Sequence, residues 1–136
     1  MTQILVADDD IHLLRVMTLW LERSGYQVLQ ARSGSEALEL FRAYRPSLVI
    51  TDVNMPGTDG LEAARQMLAE AAAPLGIIVL SCRCDMMGVA DRLGSEHVLH
   101  HGKPFSPSRL ISEVRSLQAR LGASGKRAPA AADVRE

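Results

Sequence analysis

Hydrophobic and polar residues follow two different periods along this chain, and the periods predict alternating strands and helices. Soon after the first short apolar run, apolar residues recur at helical spacing, in the stripe Leu13, Val16, Met17 and Trp20. Elsewhere they form short continuous runs or alternate with polar residues, as strands do. Strands are predicted at residues 3–7, 26–31, 47–51, 76–80 and 96–101.

The helix boundaries are marked by residues that favour caps and turns. Gly25 is expected to stop the first helix, and Pro46 to stop the second. Ser33 and Glu36 have capping-box spacing at the start of that second helix. Three more helices are predicted, at about 60–72, at about 85–94, and from the cap residue Ser106 to about 121.

Five strands alternating with five helices predict one α/β domain built on a doubly wound, five-stranded parallel sheet. The uninterrupted apolar run at 47–51 suits a parallel strand that is covered on both faces. We expect the domain to occupy residues 1–121. Residues 122–136 are small and polar and contain proline, which is typical of a disordered tail or of a linker.

Composition limits the class of protein. The chain has 136 residues, the usual size of one domain, and it is 47% hydrophobic but only 4% aromatic, so an aliphatic core is expected. A net charge of −1 argues against direct binding of nucleic acid, and no apolar run approaches the roughly 20 residues of a membrane span. Cys82 and Cys84 are too close for an ordinary disulfide, so a reducing cytoplasm is the simplest setting.

Residues that can carry chemistry follow the predicted strands. In an open parallel sheet such positions share the carboxyl edge, where ligands bind. Two carboxylates about 4 Å apart repel by about 4 kcal/mol at an effective dielectric of roughly 20, so acids at this edge predict a site for a cation. Mg²⁺ suits it because Mg²⁺ takes few protein carboxylates and keeps several waters. The residues are Asp8 and Asp9 after the first strand, Asp52 after the third, Ser81 after the fourth and Lys103 after the fifth.

Four segments, in order, resemble the receiver domains of bacterial two-component response regulators: "ILVADDD", "LVITDVNMPGTDGLE", "IIVLSCRCD" and "HHGKPF". The resemblance covers residues 3 to about 121 and implies a flavodoxin-like, CheY-like fold with strand order 2-1-3-4-5. It implies a phosphoprotein in which Asp52 accepts a phosphoryl group from a sensor histidine kinase or a phosphotransfer protein. It implies no enzyme activity beyond the domain's own phosphorylation and dephosphorylation.

The resemblance also assigns the metal ligands. Asp9 and Asp52 would bind Mg²⁺ directly, together with the main-chain oxygen of Asn54. Asp8 would act through a metal-bound water. Without the resemblance, the acids alone predict only an oxygen-rich site for a hard cation.

Phosphorylation acts as a switch in this family. Lys103 would pair with one phosphoryl oxygen and the Ser81 hydroxyl would hydrogen-bond another, which lets an aromatic side chain on the fifth strand rotate inward. That residue is usually Tyr or Phe, but here it is His100. Alternatively, His100 is a partly exposed strand residue that has no role in the switch. The face formed by the helix at 85–94, the fifth strand and the last helix would then bind a target protein, an output domain or a second copy of the chain.

Two other functions fit part of the pattern. A phosphatase of the haloacid-dehalogenase type would use Asp8 as nucleophile and Asp10 as its second acid, but it would leave Asp52 without a role. A degenerate receiver would bind proteins without being phosphorylated. The complete set of acids, hydroxyl and ammonium argues against that second possibility.

A zinc site is a further possibility, because two thiols and several imidazoles follow the fourth and fifth strands. Tetrahedral zinc uses these ligand types, but a C-x-C pair does not have the usual spacing of a zinc finger. The alternative is inert cysteines and surface histidines. The residues concerned are Cys82, Cys84, His97, His100 and His101.

Overall fold

The computed structural model describes residues 2–53, 60–81, 98–102 and 106–125. Every predicted strand is present there, with four of the five predicted helices; the helix predicted at about 85–94 lies outside the described residues. The strands are β1 Gln3–Ala7, β2 Gln27–Ala31, β3 Leu48–Asp52, β4 Gly76–Ser81 and β5 Val98–Gly102. The helices are α1 Ile11–Arg23, α2 Gly34–Tyr44, α3 Gly60–Glu70 and α4 Pro107–Gly125.

The strands form one parallel sheet in the order β2-β1-β3-β4-β5, which confirms the predicted fold class. One apolar cluster joins the sheet to α1 and α4, and a second joins it to α2 and α3. The sheet is therefore a middle layer with helices on both faces. Within the described ranges, no helix combines the length and the hydropathy that crossing a membrane requires.

Alternation along each strand divides the core between these two faces. Ile4 and Val6 of β1 belong to the cluster with α1 and α4. Leu5 and Ala7 belong to the cluster with α2 and α3. All four are fully buried, which is why the strand is continuously apolar in sequence.

Capping residues define the helix ends as predicted. The Ser33 hydroxyl accepts a hydrogen bond from the Glu36 amide at 3.1 Å, at the start of α2. The Ser106 hydroxyl accepts from the Arg109 amide at 3.2 Å, at the start of α4. Gly25 follows α1 with φ of 97°, a left-handed conformation that glycine adopts without strain.

Two expectations about the helices differ from the structure. Val16, a member of the predicted apolar stripe, is 38% exposed, because the buried face of α1 is centred on Leu14, Met17 and Leu21 and Val16 lies outside that face. The last helix continues to Gly125 rather than ending near 121. The buried residues of α1 are Leu14, Met17, Thr18 and Leu21.

Candidate functional site

Three aspartates meet at the carboxyl edge of the sheet. One carboxylate oxygen from each of Asp8, Asp9 and Asp52 lies within 4.8 Å of the others. Asp8 is 0% and Asp52 5% exposed, whereas Asp9 faces solvent. The acids predicted from two separate strands therefore form one site that is open on the side of Asp9.

Strand register explains why Asp8 and Asp52 meet. β1 and β3 are neighbours, and Ala7 pairs with Thr51 at the end of their ladder. Continuing that register by one residue sets Asp8 opposite Asp52. Successive side chains of a strand point to opposite faces of the sheet. Asp8 and Asp52 are therefore on the same face as the residues two positions before them, which pack against α1 and α4.

Local hydrogen bonds orient Asp8. Its carboxylate Oδ1 accepts from the Asp10 amide at 2.9 Å, and its own amide donates to the Ala31 carbonyl at 3.1 Å. An aspartate that bonds the backbone two residues ahead makes a tight turn. This turn leads from β1 into α1 and holds the Asp8 carboxylate over the edge of the sheet.

Asp10, the third acid of the "DDD" run, has a different structural role. Asp10 is the N-cap of α1, and its Oδ1 accepts from the amides of His12 at 3.0 Å and Leu13 at 3.3 Å. The cluster thus combines Asp8 with Asp9 and Asp52, and not with Asp10. This arrangement does not favour the phosphatase hypothesis, which requires Asp8 and Asp10 as the working pair.

The other predicted site residues are described only in part. Ser81 is the last residue of β4, and its backbone pairs with Gly102, the residue before Lys103. The backbone of His100 pairs with Val79, in β4. The side chains of Ser81, His100 and His101 lie outside the described part, as do the whole of Asn54, Lys103, Cys82, Cys84 and His97, so the zinc hypothesis stays a prediction.

One residue of the site was not foreseen from the sequence. Thr51 ends an otherwise apolar run in the sequence, yet its hydroxyl donates to the Asp52 carbonyl at 3.1 Å while the residue is fully buried. A polar residue inside an apolar strand, directly before a candidate nucleophile, is the signal that could have identified it.

The donor chemistry of the cluster fits a hard divalent cation. Carboxylate oxygens are the ligands that Mg²⁺ and Ca²⁺ prefer, and Mg²⁺ usually keeps several waters beside one or two carboxylates. The exposure of Asp9 leaves one side of the cluster accessible to such waters. These three aspartates could therefore hold a metal ion.

Comparison with known proteins identifies the class. The model of the response regulator receiver domain family matches residues 4–115. A probable transcriptional regulator of Cyanophora paradoxa, ycf27, is 39% identical over 123 residues, which are 87% of this chain and 48% of the relative. The DNA-binding response regulator MtrA of Mycolicibacterium smegmatis is 34% identical over 114 residues, 84% of this chain and 49% of the relative. The chain spans about half the length of these curated relatives.

Solved structures agree with the sequence relatives. The chemotaxis protein CheY4 of Vibrio cholerae has a TM-score of 0.77 at 26% identity, covering 86% of this chain and 98% of that chain. A receiver domain protein from Clostridium thermocellum has a TM-score of 0.77 at 27% identity, over 88% of this chain and 96% of that one. This chain belongs to the response regulator receiver domain family of two-component systems, and the two alternative functions are not favoured.

Proposed function

We propose that this receiver domain carries its signal as a phosphoryl group on Asp52. The supporting observation is the meeting of three carboxylates within 4.8 Å, with Asp52 nearly buried at the end of the central strand. Gathering like charges costs free energy, so a site that does so is expected to bind a cation. A nucleophile beside that cation would then meet an electrophilic phosphoryl group in a favourable field.

Mg²⁺ is the cofactor that we propose for the cluster. Asp9 and Asp52 would bind it directly with the main-chain oxygen of Asn54, and Asp8 would hold a water of its coordination shell. The oxygen donors on Asp8, Asp9 and Asp52 support this choice. When bound, the ion neutralises negative charge on the phosphoryl group during transfer.

Asp52 is the nucleophile in this proposal. One of its carboxylate oxygens attacks phosphorus while the bond from phosphorus to the donor's imidazole nitrogen breaks, and that nitrogen keeps the electron pair and takes a proton. We assign the phosphoryl oxygens to the Lys103 ammonium and the Ser81 hydroxyl, which the β4–β5 register supports because Ser81 pairs with Gly102. Water later attacks the same phosphorus, and the P–O bond to Asp52 breaks to release inorganic phosphate and restore the Asp52 carboxylate. In this proposal the domain catalyses only its own phosphorylation and dephosphorylation.

The signal is read on the face formed by the predicted helix 85–94, β5 and α4. Attraction of Ser81 toward the phosphoryl group and an inward rotation of His100 would shift this face between two packings. A sensor histidine kinase or phosphotransfer protein supplies the group, and a target protein, an output domain or a second copy of this chain reads the change. Relatives named as DNA-binding response regulators are about twice as long as the matched segment, which is compatible with an output domain outside that segment.

Intact mass spectrometry after incubation with acetyl phosphate and Mg²⁺ tests the proposal. The wild-type protein should gain the mass of one phosphoryl group, and Asp52→Asn should gain none. Asp10→Asn is the matched control, because Asp10 belongs to the same acidic run but caps α1, and asparagine caps equally well. A wild-type protein that gains no mass, or an Asp52→Asn variant that gains as much, would refute it.

A further inference from the structure

We infer that Thr51 is a positioning residue for phosphoryl transfer, because its hydroxyl holds the peptide group that follows Asp52. The inference rests on the proposed role of Asp52 as phosphoryl acceptor. The inference concerns the backbone of Asp52. The proposed metal ligands and phosphoryl contacts instead involve side chains and the main-chain oxygen of Asn54.

The surroundings of Thr51 are apolar. It is 0% exposed, and its register partners are Ala7 of β1 and Val79 of β4, which are also fully buried. Alternation places it on the face that Val49 and Val53 share with α2 and α3. A hydroxyl buried among such groups costs free energy unless it finds an acceptor, so its hydrogen bond is a strong constraint on the local geometry.

The acceptor is the carbonyl oxygen of Asp52, at 3.1 Å from the Thr51 Oγ1. At the other end of the same peptide group, the Val53 amide donates to the Leu80 carbonyl at 3.0 Å. A trans peptide directs its N–H and C=O to opposite sides, so the group is held on both sides of β3. Holding the plane of this peptide restricts the rotation of the Asp52 backbone.

The position of this bond gives it a consequence for chemistry. The β1–β3 ladder ends at the pair Ala7–Thr51, so Asp52 lies one residue past the last pair on that side. A restricted backbone at Asp52 fixes the direction in which its Cα–Cβ bond points relative to Asp8 and Asp9. Phosphoryl transfer depends mainly on such positioning, and a small misplacement of the nucleophile is costly.

Thr51→Val removes the hydroxyl and keeps the branched shape, whereas Thr51→Ser keeps the hydroxyl. Thr18→Val is the matched control: Thr18 is also a buried threonine, but its hydroxyl donates to the Leu14 carbonyl at 2.8 Å within α1. We expect Thr51→Val to slow phosphorylation by acetyl phosphate about three- to tenfold, the effect of losing one such bond. Thr51→Ser and Thr18→Val should stay within about twofold of wild type.

Two further measurements separate positioning from folding. Urea unfolding should show that Thr51→Val remains folded under the assay conditions, and Thr51→Ala replaces it as the test variant if valine cannot be accommodated. The amide resonance of Val53, which shares its peptide group with the Asp52 carbonyl, should shift in Thr51→Val without Mg²⁺ and remain near its wild-type position in Thr18→Val.

The outcomes are distinguishable. Folded Thr51→Val that reacts as fast as wild type, or Thr51→Ser that reacts as slowly as Thr51→Val, would overturn the inference while leaving Asp52 as the acceptor. If the wild-type protein itself gains no phosphoryl group, the proposed function fails instead. In that case an unchanged Val53 resonance in Thr51→Val would separately overturn the role of the hydroxyl.

Discussion

Charged side chains are arranged in opposite ways at the two edges of the sheet. At the carboxyl edge, Asp8, Asp9 and Asp52 bring like charges together. At the amino edge, where α2 and α3 end before β3 and β4 begin, opposite charges pair. The first arrangement is a candidate metal site, whereas the second connects two helices.

The amino edge is organised around the C-terminus of α3. The Arg42 guanidinium donates twice to the Glu70 carboxylate, at 2.9 and 2.6 Å. Arg45 donates to the Glu70 carbonyl at 3.0 Å, and its guanidinium lies 5.0 Å from the centre of the Phe41 ring. A cation at a helix C-terminus is favourable, and these contacts help to offset the left-handed conformation of Arg45, whose φ is 50°.

Like charges therefore gather at the carboxyl edge, whereas opposite charges pair between two helices at the amino edge. Neutral substitution of an acid in the cluster should relieve repulsion, whereas substitution at the amino edge should only lose favourable contacts. This difference in sign can be measured by urea unfolding.

Phe41→Ala should have the largest effect. The ring is 2% exposed in the cluster with α2 and α3, and its loss should lower the free energy of unfolding by about 3–5 kcal/mol. Urea unfolding measures this. Tyr44→Ala, in the same helix but at a residue that is 55% exposed, is the control and should change stability by less than about 0.5 kcal/mol. Equal effects of the two substitutions would contradict the assigned core.

Gly76→Ala should be the next largest. A Cβ at Gly76 would lie 2.9 Å from Leu48 Cδ2 and 3.1 Å from Leu121 Cδ1, so the ends of these two leucine side chains must move where β4 begins. We expect a loss of about 1–2 kcal/mol in urea unfolding. In a double-mutant cycle, Leu48→Ala should reduce the cost of Gly76→Ala, and strict additivity would show that the close contact is not the cause.

Asp8→Asn should change stability in the other direction. Asparagine keeps the Oδ1 that accepts from the Asp10 amide, and it removes one of three clustered charges. Without Mg²⁺ we expect a gain of about 1 kcal/mol, and the additional stabilisation of wild type by Mg²⁺ should shrink in the variant. Urea unfolding with and without Mg²⁺ measures both, with Asp10→Asn as control. A loss of stability in Asp8→Asn would contradict the expectation that neutralising an acid at the carboxyl edge relieves repulsion.

Glu70→Gln should have the smallest effect. Hydrogen bonds from Arg42 hold the pKa of the Glu70 carboxyl below its ordinary value of 4.5, so the ion pair stabilises the folded state above that value. This contribution is lost as the pH falls through the lowered pKa. The small difference in stability between wild type and variant should therefore disappear in acid and shrink in high salt.

Thermal unfolding at a series of pH values between neutral and strongly acidic compares the two proteins. Glu39→Gln, at an exposed position of α2, is the charge-matched control. A difference between wild type and Glu70→Gln that grows as the pH falls would contradict the assigned sign.

The candidate site was predictable to the extent that it depends on the ends of strands. Asp8 and Asp52 follow apolar runs, and parallel strands bring their carboxyl ends to one edge. The separate task of Asp10 was not predictable, because three consecutive acids look alike until the turn into α1 directs one to the amides of His12 and Leu13. Thr51 was missed for a similar reason, since its acceptor depends on the backbone conformation at the end of β3.

The alternation of strands and helices, the family and the acids at the strand ends were all predictable, because these depend on short-range periodicity and on residue type. The folded chain was needed to show which face of α1 is buried, that Asp10 caps α1 and what Thr51 contacts. Those outcomes depend on the backbone conformation at the strand ends and on packing against both faces of the sheet, which the local pattern of residues does not reveal.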